Sequence, residues 1–543
     1  MTAFLSHCVR TWFVFAAFTL ADQLPVVDLG YSTYQATTVN TTGKYYTFSN
    51  IRFAAPPVGD LRFRAPAPPL VNRNAVIDGS EGYTCPQSQP GWWTTTFKDL
   101  GNLTKAIPAQ TNPQQQNEDC LFLDVVTPSS KFENGKPKPN SKLSPVLVWI
   151  HGGGYFIGDK TTLYDPAGFF NQSNDDIVFM SMNYRLSSLG FLSGTNETGN
   201  VTTPNAGLLD QRAALKWVKQ YIHLFGGDAS SITIFGQSAG GGSVMHHTTW
   251  LGGKDASENA LVKRALAQSP VPNVVPKPQQ RKSFNALLEA ANVTSVDELR
   301  KLPPNSSVLL KANALVEGTA AFTTLNFGPW VDGYYVPDFP SKCYPEGQYI
   351  QSMEIMASNN NNDGILFTPQ NDTSDASYDE FLKITFPYSP QSALDHVSQV
   401  LYPPVYDGSH PYSTPLERLT LTVAEQHVVC NPYFLARAYD KSTHNYIFSV
   451  PPAFHAEDLS YSFYNGLANQ NPPTNTIVGE DLNGYITNFA LSGDPNSPGK
   501  PLFPEYGAIS IALNLTDHGL VPVKDPSANA RCDWWGLGLV YGG

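Results

Sequence analysis

Charge is scarce in this sequence: 15% of its 543 residues are Asp, Glu, Lys or Arg, against roughly a quarter in an average soluble domain. Positive charge is the scarcer sign, with 34 Lys and Arg facing 46 Asp and Glu and a formal net charge of −12. An acidic surface repels phosphate backbones and anionic headgroups, which argues against nucleic acid or a charged membrane as partner. Cysteine is also sparse. There are six, none paired at C-x-x-C spacing, so no metal site is expected. Beyond the amino end no apolar run is long enough to span a bilayer, and the Leu537-Gly-Leu-Val-Tyr-Gly-Gly543 terminus is no anchor signal, so no stable membrane anchor is expected. Repeats and linker-like tracts are missing, so residues 22–543 read as one folded domain. What is present, 41% apolar and 12% aromatic residues, is the composition of a globular chain.

The amino end is the exception. Thr11-Trp-Phe-Val-Phe-Ala-Ala-Phe-Thr-Leu-Ala21 is too short to cross a bilayer and follows a lead whose one charge is Arg10. That is the pattern of a secretory signal, residues 1–21, cleaved after Ala21. Nine N-x-S/T sequons follow, at Asn40, Asn102, Asn171, Asn196, Asn200, Asn292, Asn305, Asn371 and Asn514, a density that suits an exported glycoprotein. Cys8 leaves with the signal. Cys85, Cys120, Cys343, Cys430 and Cys532 remain, most simply two disulfides and one free thiol in an oxidising compartment.

Continuous apolar runs, Pro145–Ile150 and Ile177–Asn183, read as strands covered on both faces. They alternate with an amphipathic helix predicted over Asn205–Phe225, whose Leu208, Leu215, Val218 and Ile222 share one face before Gly226-Gly227 stops it. Strand and helix in alternation predict an α/β fold with a large, mostly parallel sheet flanked by helices. Within that pattern Ser231-Ile-Thr-Ile-Phe235 runs into Gly236-Gln-Ser-Ala-Gly240 and then a helix, the order a G-x-S-x-G nucleophile elbow requires. Ser238 is the candidate nucleophile.

A serine on such a turn needs a base and an oxyanion site, with acid and then histidine following along the chain. Two later strands deliver candidates: Met353–Ser358 leads to Asp363, and Asn445–Val450 leads to His455. His455 is the expected general base and Asp363 its orienter, with Asp372, Asp375 and Glu354 as competitors for the acid. His246 and His247, on the elbow's own helix, are expected to pack or face solvent. Gly152-Gly153-Gly154 follows a core strand, where backbone N–H groups can meet a developing oxyanion together with that of Ala239. Between Cys85 and Cys120, Trp92, Trp93, Phe97, Leu100, Leu103 and Ile107 could line a gorge or form a lid, or belong to the core.

Segments spread over nearly the whole chain carry a resemblance. They include Phe53-Ala-Ala-Pro-Pro-Val-Gly-Asp-Leu-Arg-Phe63, Glu118-Asp-Cys-Leu-Phe-Leu-Asp-Val125, His151-Gly-Gly-Gly154, Asn183-Tyr-Arg-Leu-Ser-Ser-Leu-Gly-Phe-Leu192, Phe225-Gly-Gly-Asp228, Gly236-Gln-Ser-Ala-Gly-Gly241, Gly328-Pro-Trp-Val-Asp-Gly333 and Phe454-His-Ala-Glu-Asp458. The chain resembles the type-B carboxylesterase/lipase family, the cholinesterase-like α/β-hydrolases, of the fungal secreted kind. The resemblance implies a serine carboxylic ester hydrolase with no cofactor and a small-molecule or lipid ester as substrate. It implies Ser238, His455 and Asp363 as the triad and Gly153, Gly154 and Ala239 as oxyanion donors. It also implies the pairings Cys85–Cys120 and Cys430–Cys532, with Arg62 and Glu118 as a structural ion pair. Two positions depart from the family pattern: Asp363 stands where Glu is usual, and Gln237 replaces the Glu that commonly precedes the serine. A tailoring acyltransferase or lactonase with the same triad, or a non-catalytic adhesion-like member, are the alternative readings.

Overall fold

The computed structural model describes residues 24–100, 115–161, 164–193, 202–371, 374–439, 443–466 and 472–541. The expected signal, the sequons at Asn102, Asn196 and Asn200, and Leu103, Ile107 and Asp372 lie outside these residues, as do the side chains of Phe97 and Leu100.

The large sheet contains β1 (Thr38–Asn40), β2 (Tyr45–Arg52), β3 (Phe122–Pro128), β4 (Ser144–Ile150), β5 (Val178–Met182) and β6 (Gly227–Gln237). It continues with β7 (Arg264–Gln268), β8 (Glu354–Asn360), β9 (Thr443–Phe448), β10 (Ile511–Thr516) and β11 (Gly519–Lys524). Across the sheet the order is β11-β10-β9-β8-β7-β6-β4-β5-β3-β2-β1. From β5 to β10 neighbouring strands run parallel, and antiparallel pairs close both edges. After β4 the chain adds β5 on one side and β6 on the other, so the order reverses at β4. A crevice opens at such a switch point, outside the carboxyl ends of the strands.

Burial on both faces explains the unbroken apolar strands. Along β4, Val146, Val148 and Ile150 enter one core while Leu147 and Trp149 enter the other, the period-two alternation of a strand between two helical layers. Covering helices include α1 (Gly91–Leu100), α2 (Ala206–Tyr221), α3 (Ala239–Thr248), α4 (Pro415–Ala424), α5 (Cys430–Tyr439) and α6 (Thr476–Ser492). The α-helix predicted to Phe225 ends at Tyr221. Its last turn, Ile222–Phe225, tightens to 3-10 geometry before Gly226, at φ +79°, reverses the chain.

Arg62 and Glu118 form a fully buried bidentate pair at 2.6 and 2.9 Å, and Arg62 also donates to the carbonyls of Leu302 and Pro303 at 3.1 and 3.2 Å. Disulfides join Cys85 to Cys120 and Cys430 to Cys532, with Cα–Cα distances of 5.0 and 5.3 Å. Cys343 is free and buried, and burial pushes its thiol up to about 12. No helix among the described residues is long and apolar enough to cross a membrane. Of the sequons, Asn40, Asn171, Asn292 and Asn371 are exposed. Asn305 and Asn514 are half-buried, the latter inside β10.

Candidate active site

Ser238 is the single residue between β6 and α3, and its backbone is held at φ +59°, ψ −124°. A side-chain-bearing residue there stores about 1–3 kcal/mol of strain that its surroundings must hold. Three backbone bonds do so: Ser238 N–H donates to Gln268 O at 3.0 Å, and Ser238 O accepts from Gly242 and Val271 at 2.8 and 2.9 Å. The flanking glycines are steric necessities. A Cβ on Gly240 would lie 2.1 Å from Ile150 O, and one on Gly236 2.5 Å from the Gly240 carbonyl carbon.

The glycine run after β4 is laid against this elbow, since a Cβ on Gly152 would come within 2.6 Å of Gln237 O and 3.1 Å of Ser238 Cβ. The N–H groups of Gly153, Gly154 and Ala239 have no acceptor among the described residues. His151 supports the loop. Its ring stacks on Tyr184 at 4.3 Å, its Nδ1–H donates to Gly152 O at 2.8 Å, and burial lowers its pKa to about 4, so it is neutral scaffolding.

Asp363 and His455 follow the adjacent strands β8 and β9, and the loops that carry them are cross-linked. Asn362 pairs with Phe454, Asn362 N–H donates to Ala453 O at 3.0 Å, and Asn360 Nδ2 donates to Phe454 O at 2.7 Å. His455 Nδ1–H therefore meets Asp363 Oδ1 at 2.6 Å. The other oxygen, Oδ2, accepts from Asn360 N–H at 2.7 Å and Ser269 Oγ at 3.0 Å. With Nδ1 protonated, the Gln237 amide donates to His455 Nε2 at 3.2 Å. No hydrogen bond joins Ser238 Oγ to the imidazole among the described residues, though the two side chains line one cavity.

The competing acids are elsewhere. Glu354 is at the opposite end of β8 and pairs with Arg264, and Asp375 pairs with Arg418. His246 and His247 are buried in α3, bonded through Nε2 to Pro272 O and Gln211 Oε1, each at 2.9 Å. Two further groups had no assigned role in the sequence reading. Asp458, fully buried behind the Asp363–His455 pair, is pushed up to about 7 by burial and then by the charge of Asp363. It accepts from Tyr446, Gln268 and Asn360 at 3.0, 3.2 and 3.4 Å. His427 packs against Phe367, whose ring centre is 5.0 Å from both His427 and His455. No local motif marks His427; three-dimensional convergence alone brings it to the site.

The cavity holding Ser238, His455 and the glycine run measures about 60 Å³, and Trp92, Trp93, Phe156 and Leu459 give it apolar walls. The two tryptophans stand on α1, inside the loop that the Cys85–Cys120 bridge closes. A second cavity of about 320 Å³ adjoins it, and Asn273, Thr323, Leu325 and His427 line both.

The sequence profile of the carboxylesterase family matches residues 25–535. Carboxylesterase patB of Aspergillus clavatus is 35% identical over 538 residues, covering 94% of this chain and 96% of that protein. A secreted lipase of Arthroderma benhamiae is 29% identical over 485 residues, covering 85% and 89%. Among solved structures, Aspergillus niger EstA superposes with a TM-score of 0.80 at 25% identity over 96% of this chain and 99% of its own.

Proposed function

As the chain belongs to the carboxylesterase family, and is thereby a carboxylic ester hydrolase, we propose that it is exported and cleaves its ester through a covalent acyl-enzyme on Ser238. One observation carries this reading: the buried Asp363 carboxylate holds His455 by Nδ1 at 2.6 Å, in the cavity that contains the strained Ser238. An imidazole protonated on Nδ1 keeps a lone pair on Nε2, which can accept the serine proton as Oγ attacks the ester carbonyl once Ser238 takes the place of the Gln237 amide there. The tetrahedral oxyanion is received by the N–H groups of Gly153, Gly154 and Ala239, none of which must first give up another acceptor. Asp363 stabilises the imidazolium, whose Nε2–H then protonates the departing alkoxide. Water next loses a proton to Nε2 and attacks the acyl carbon. Collapse frees the acid, and the proton returns to Ser238 Oγ.

Export is supported by the apolar segment 11–21, the two disulfides and the exposed sequons. The Arthroderma benhamiae relative is itself named a secreted lipase. The test is hydrolysis of p-nitrophenyl esters of increasing acyl length, with and without an emulsion, by the exported protein and by Ser238→Ala. The expected result is turnover that Ser238→Ala lowers by about 10⁴-fold or more without altering secretion. A variant retaining most of its activity would remove the acyl-enzyme.

A further inference from the structure

Building on the ester-hydrolase reading, we propose that His427 determines specificity by hydrogen-bonding an oxygen on the bulky flank of the substrate. The substrate class is an ester with one short apolar flank and one compact, oxygen-bearing flank, rather than a fatty acyl glyceride. The first observation is the asymmetry of the two cavities. Ser238 stands in a space of about 60 Å³, beside one of about 320 Å³. An ester held at Ser238 must place its smaller side in the first and extend its larger side into the second.

The second observation is the wall common to both. Of Asn273, Thr323, Leu325 and His427, three are polar, and none of their side chains has a hydrogen-bond partner among the described residues. A hydrocarbon chain through this neck would strand those groups out of water, at about 1–3 kcal/mol for each buried polar group left unmatched. A hydroxyl or carbonyl would satisfy them. The larger cavity also has polar residues in its wall, Gln279, Asn326 and Tyr388, but these are already bonded to one another or to neighbouring backbone, so the unmatched groups are those at the neck.

The third observation is how His427 is aimed. It is the central residue of a π-helical turn, Glu425–Val429, between α4 and α5. Such turns insert a residue into a helix and redirect side chains, frequently at functional sites. The turn is pinned in place, because Asn431 Nδ2 donates both to His427 O at 3.0 Å and to Pro270 O at 2.9 Å. The imidazole itself packs against Phe367, ring centres 5.0 Å apart. Burial, and next the like charge of His455, lower its pKa to about 3, so at working pH the ring is neutral. A neutral imidazole has one N–H donor and one bare nitrogen, which suits a hydroxyl in both directions or a carbonyl in one.

The experiment measures kcat/KM for two matched pairs, one varying each side of the ester: ethyl levulinate against ethyl isocaproate, and p-hydroxymethylphenyl acetate against p-ethylphenyl acetate. In at least one pair the wild type is expected to favour the oxygen-bearing member by about tenfold or more, the worth of one buried hydrogen bond. The pair that shows it identifies the acyl or the alcohol flank. His427→Phe is expected to reduce that preference to about twofold or less, chiefly through KM, and His427→Gln to restore part of it. His427→Leu reads the same ratio if the Phe variant does not fold. No preference in either pair, or one that His427→Phe and His427→Leu leave intact, overturns the proposal while the hydrolase reading stands. Failure of the wild type on all four esters overturns the hydrolase reading itself.

Discussion

Asp363→Asn isolates the orienting carboxylate from everything else in the site. The amide that replaces it can be seated two ways. If its nitrogen takes the place of Oδ2, it faces Asn360 N–H at 2.7 Å and Ser269 Oγ at 3.0 Å. The hydroxyl can turn away, but the backbone N–H cannot, and a buried donor left against a donor costs about 1–3 kcal/mol. If the nitrogen takes the place of Oδ1, it faces His455 Nδ1, and the imidazole can respond by moving its own proton to Nε2, where the Gln237 amide can turn over to accept it through Oε1. The second seating is therefore favoured. It preserves the fold and inverts the tautomer: Nε2 now carries a proton and cannot accept one from Ser238. The expected loss in kcat/KM on p-nitrophenyl acetate is about 10⁴-fold, or about 5 kcal/mol of transition-state stabilisation, with little change in thermal midpoint. Glu354→Gln serves as the control. That carboxylate pairs with Arg264 at the far end of the same strand, and its loss should lower the midpoint while sparing turnover. Asp363→Asn within tenfold of wild type, or an activity loss explained by unfolding, refutes the reasoning.

Stability should pass through a maximum between about pH 5 and 8. Burial lowers His151 and His246 to about 4 and His427 to about 3, so the unfolded chain takes up protons first and their contribution is lost as pH falls from 6.5 towards 4. Asp458 and Glu317 act in the opposite sense. Raised by burial to about 7 and about 8, they keep protons that the unfolded chain has released, so stability falls as pH rises from about 4 to 8. His247 and His444, also lowered by burial, act with the first group, and Asp210, Asp332, Glu457 and Asp525, raised by burial, act with the second, so acid and base each work against the fold. Urea midpoints from about pH 5 to 9 that rise without a maximum would contradict this. Chain entropy assigns about 4 kcal/mol to the Cys85–Cys120 loop and about 5 to Cys430–Cys532, upper values read by denaturant midpoints of the paired Ser variants. Losing the first should also alter KM, because its loop carries Trp92 and Trp93; an unchanged KM would separate that loop from substrate binding.

The α/β architecture was legible because its strands are apolar on both faces: runs such as Pro145–Ile150 have no other reading once helices alternate with them. The elbow and the glycine run were legible because sterics demand glycine wherever a Cβ would strike backbone. Asp363 and His455, which the structure joins at 2.6 Å, each stand just past the carboxyl end of a readable strand. Three features were hidden. β10 and β11 are short, and Pro522 falls within the latter, tolerated because that strand is at the sheet edge and need not donate on its free side. Asn359 and Asn360, beyond the predicted strand Met353–Ser358, complete β8, and Asn360 uses both its backbone and its side chain to fix the acid and histidine loops. His427 and Asp458 carry no signal in their neighbours along the chain, because what surrounds them comes from segments far away in sequence.

The order of the strands also sets when the site can come into being during synthesis. Ser238, Asp363 and His455 follow β6, β8 and β9, and β9 pairs on its outer side with β10, which begins at Ile511. A ribosome-bound chain shorter than this has its serine elbow but leaves the histidine strand at an open sheet edge. Parallel pairing over such sequence distances is slow, because the entropy of closing each loop is lost before any contact compensates it. Ser238, Asp363 and His455 would thus be brought together among the last events of folding, after most of the polypeptide has left the ribosome. A cell making this protein would hold no chain with the three side chains assembled during the interval in which the polypeptide is unfinished.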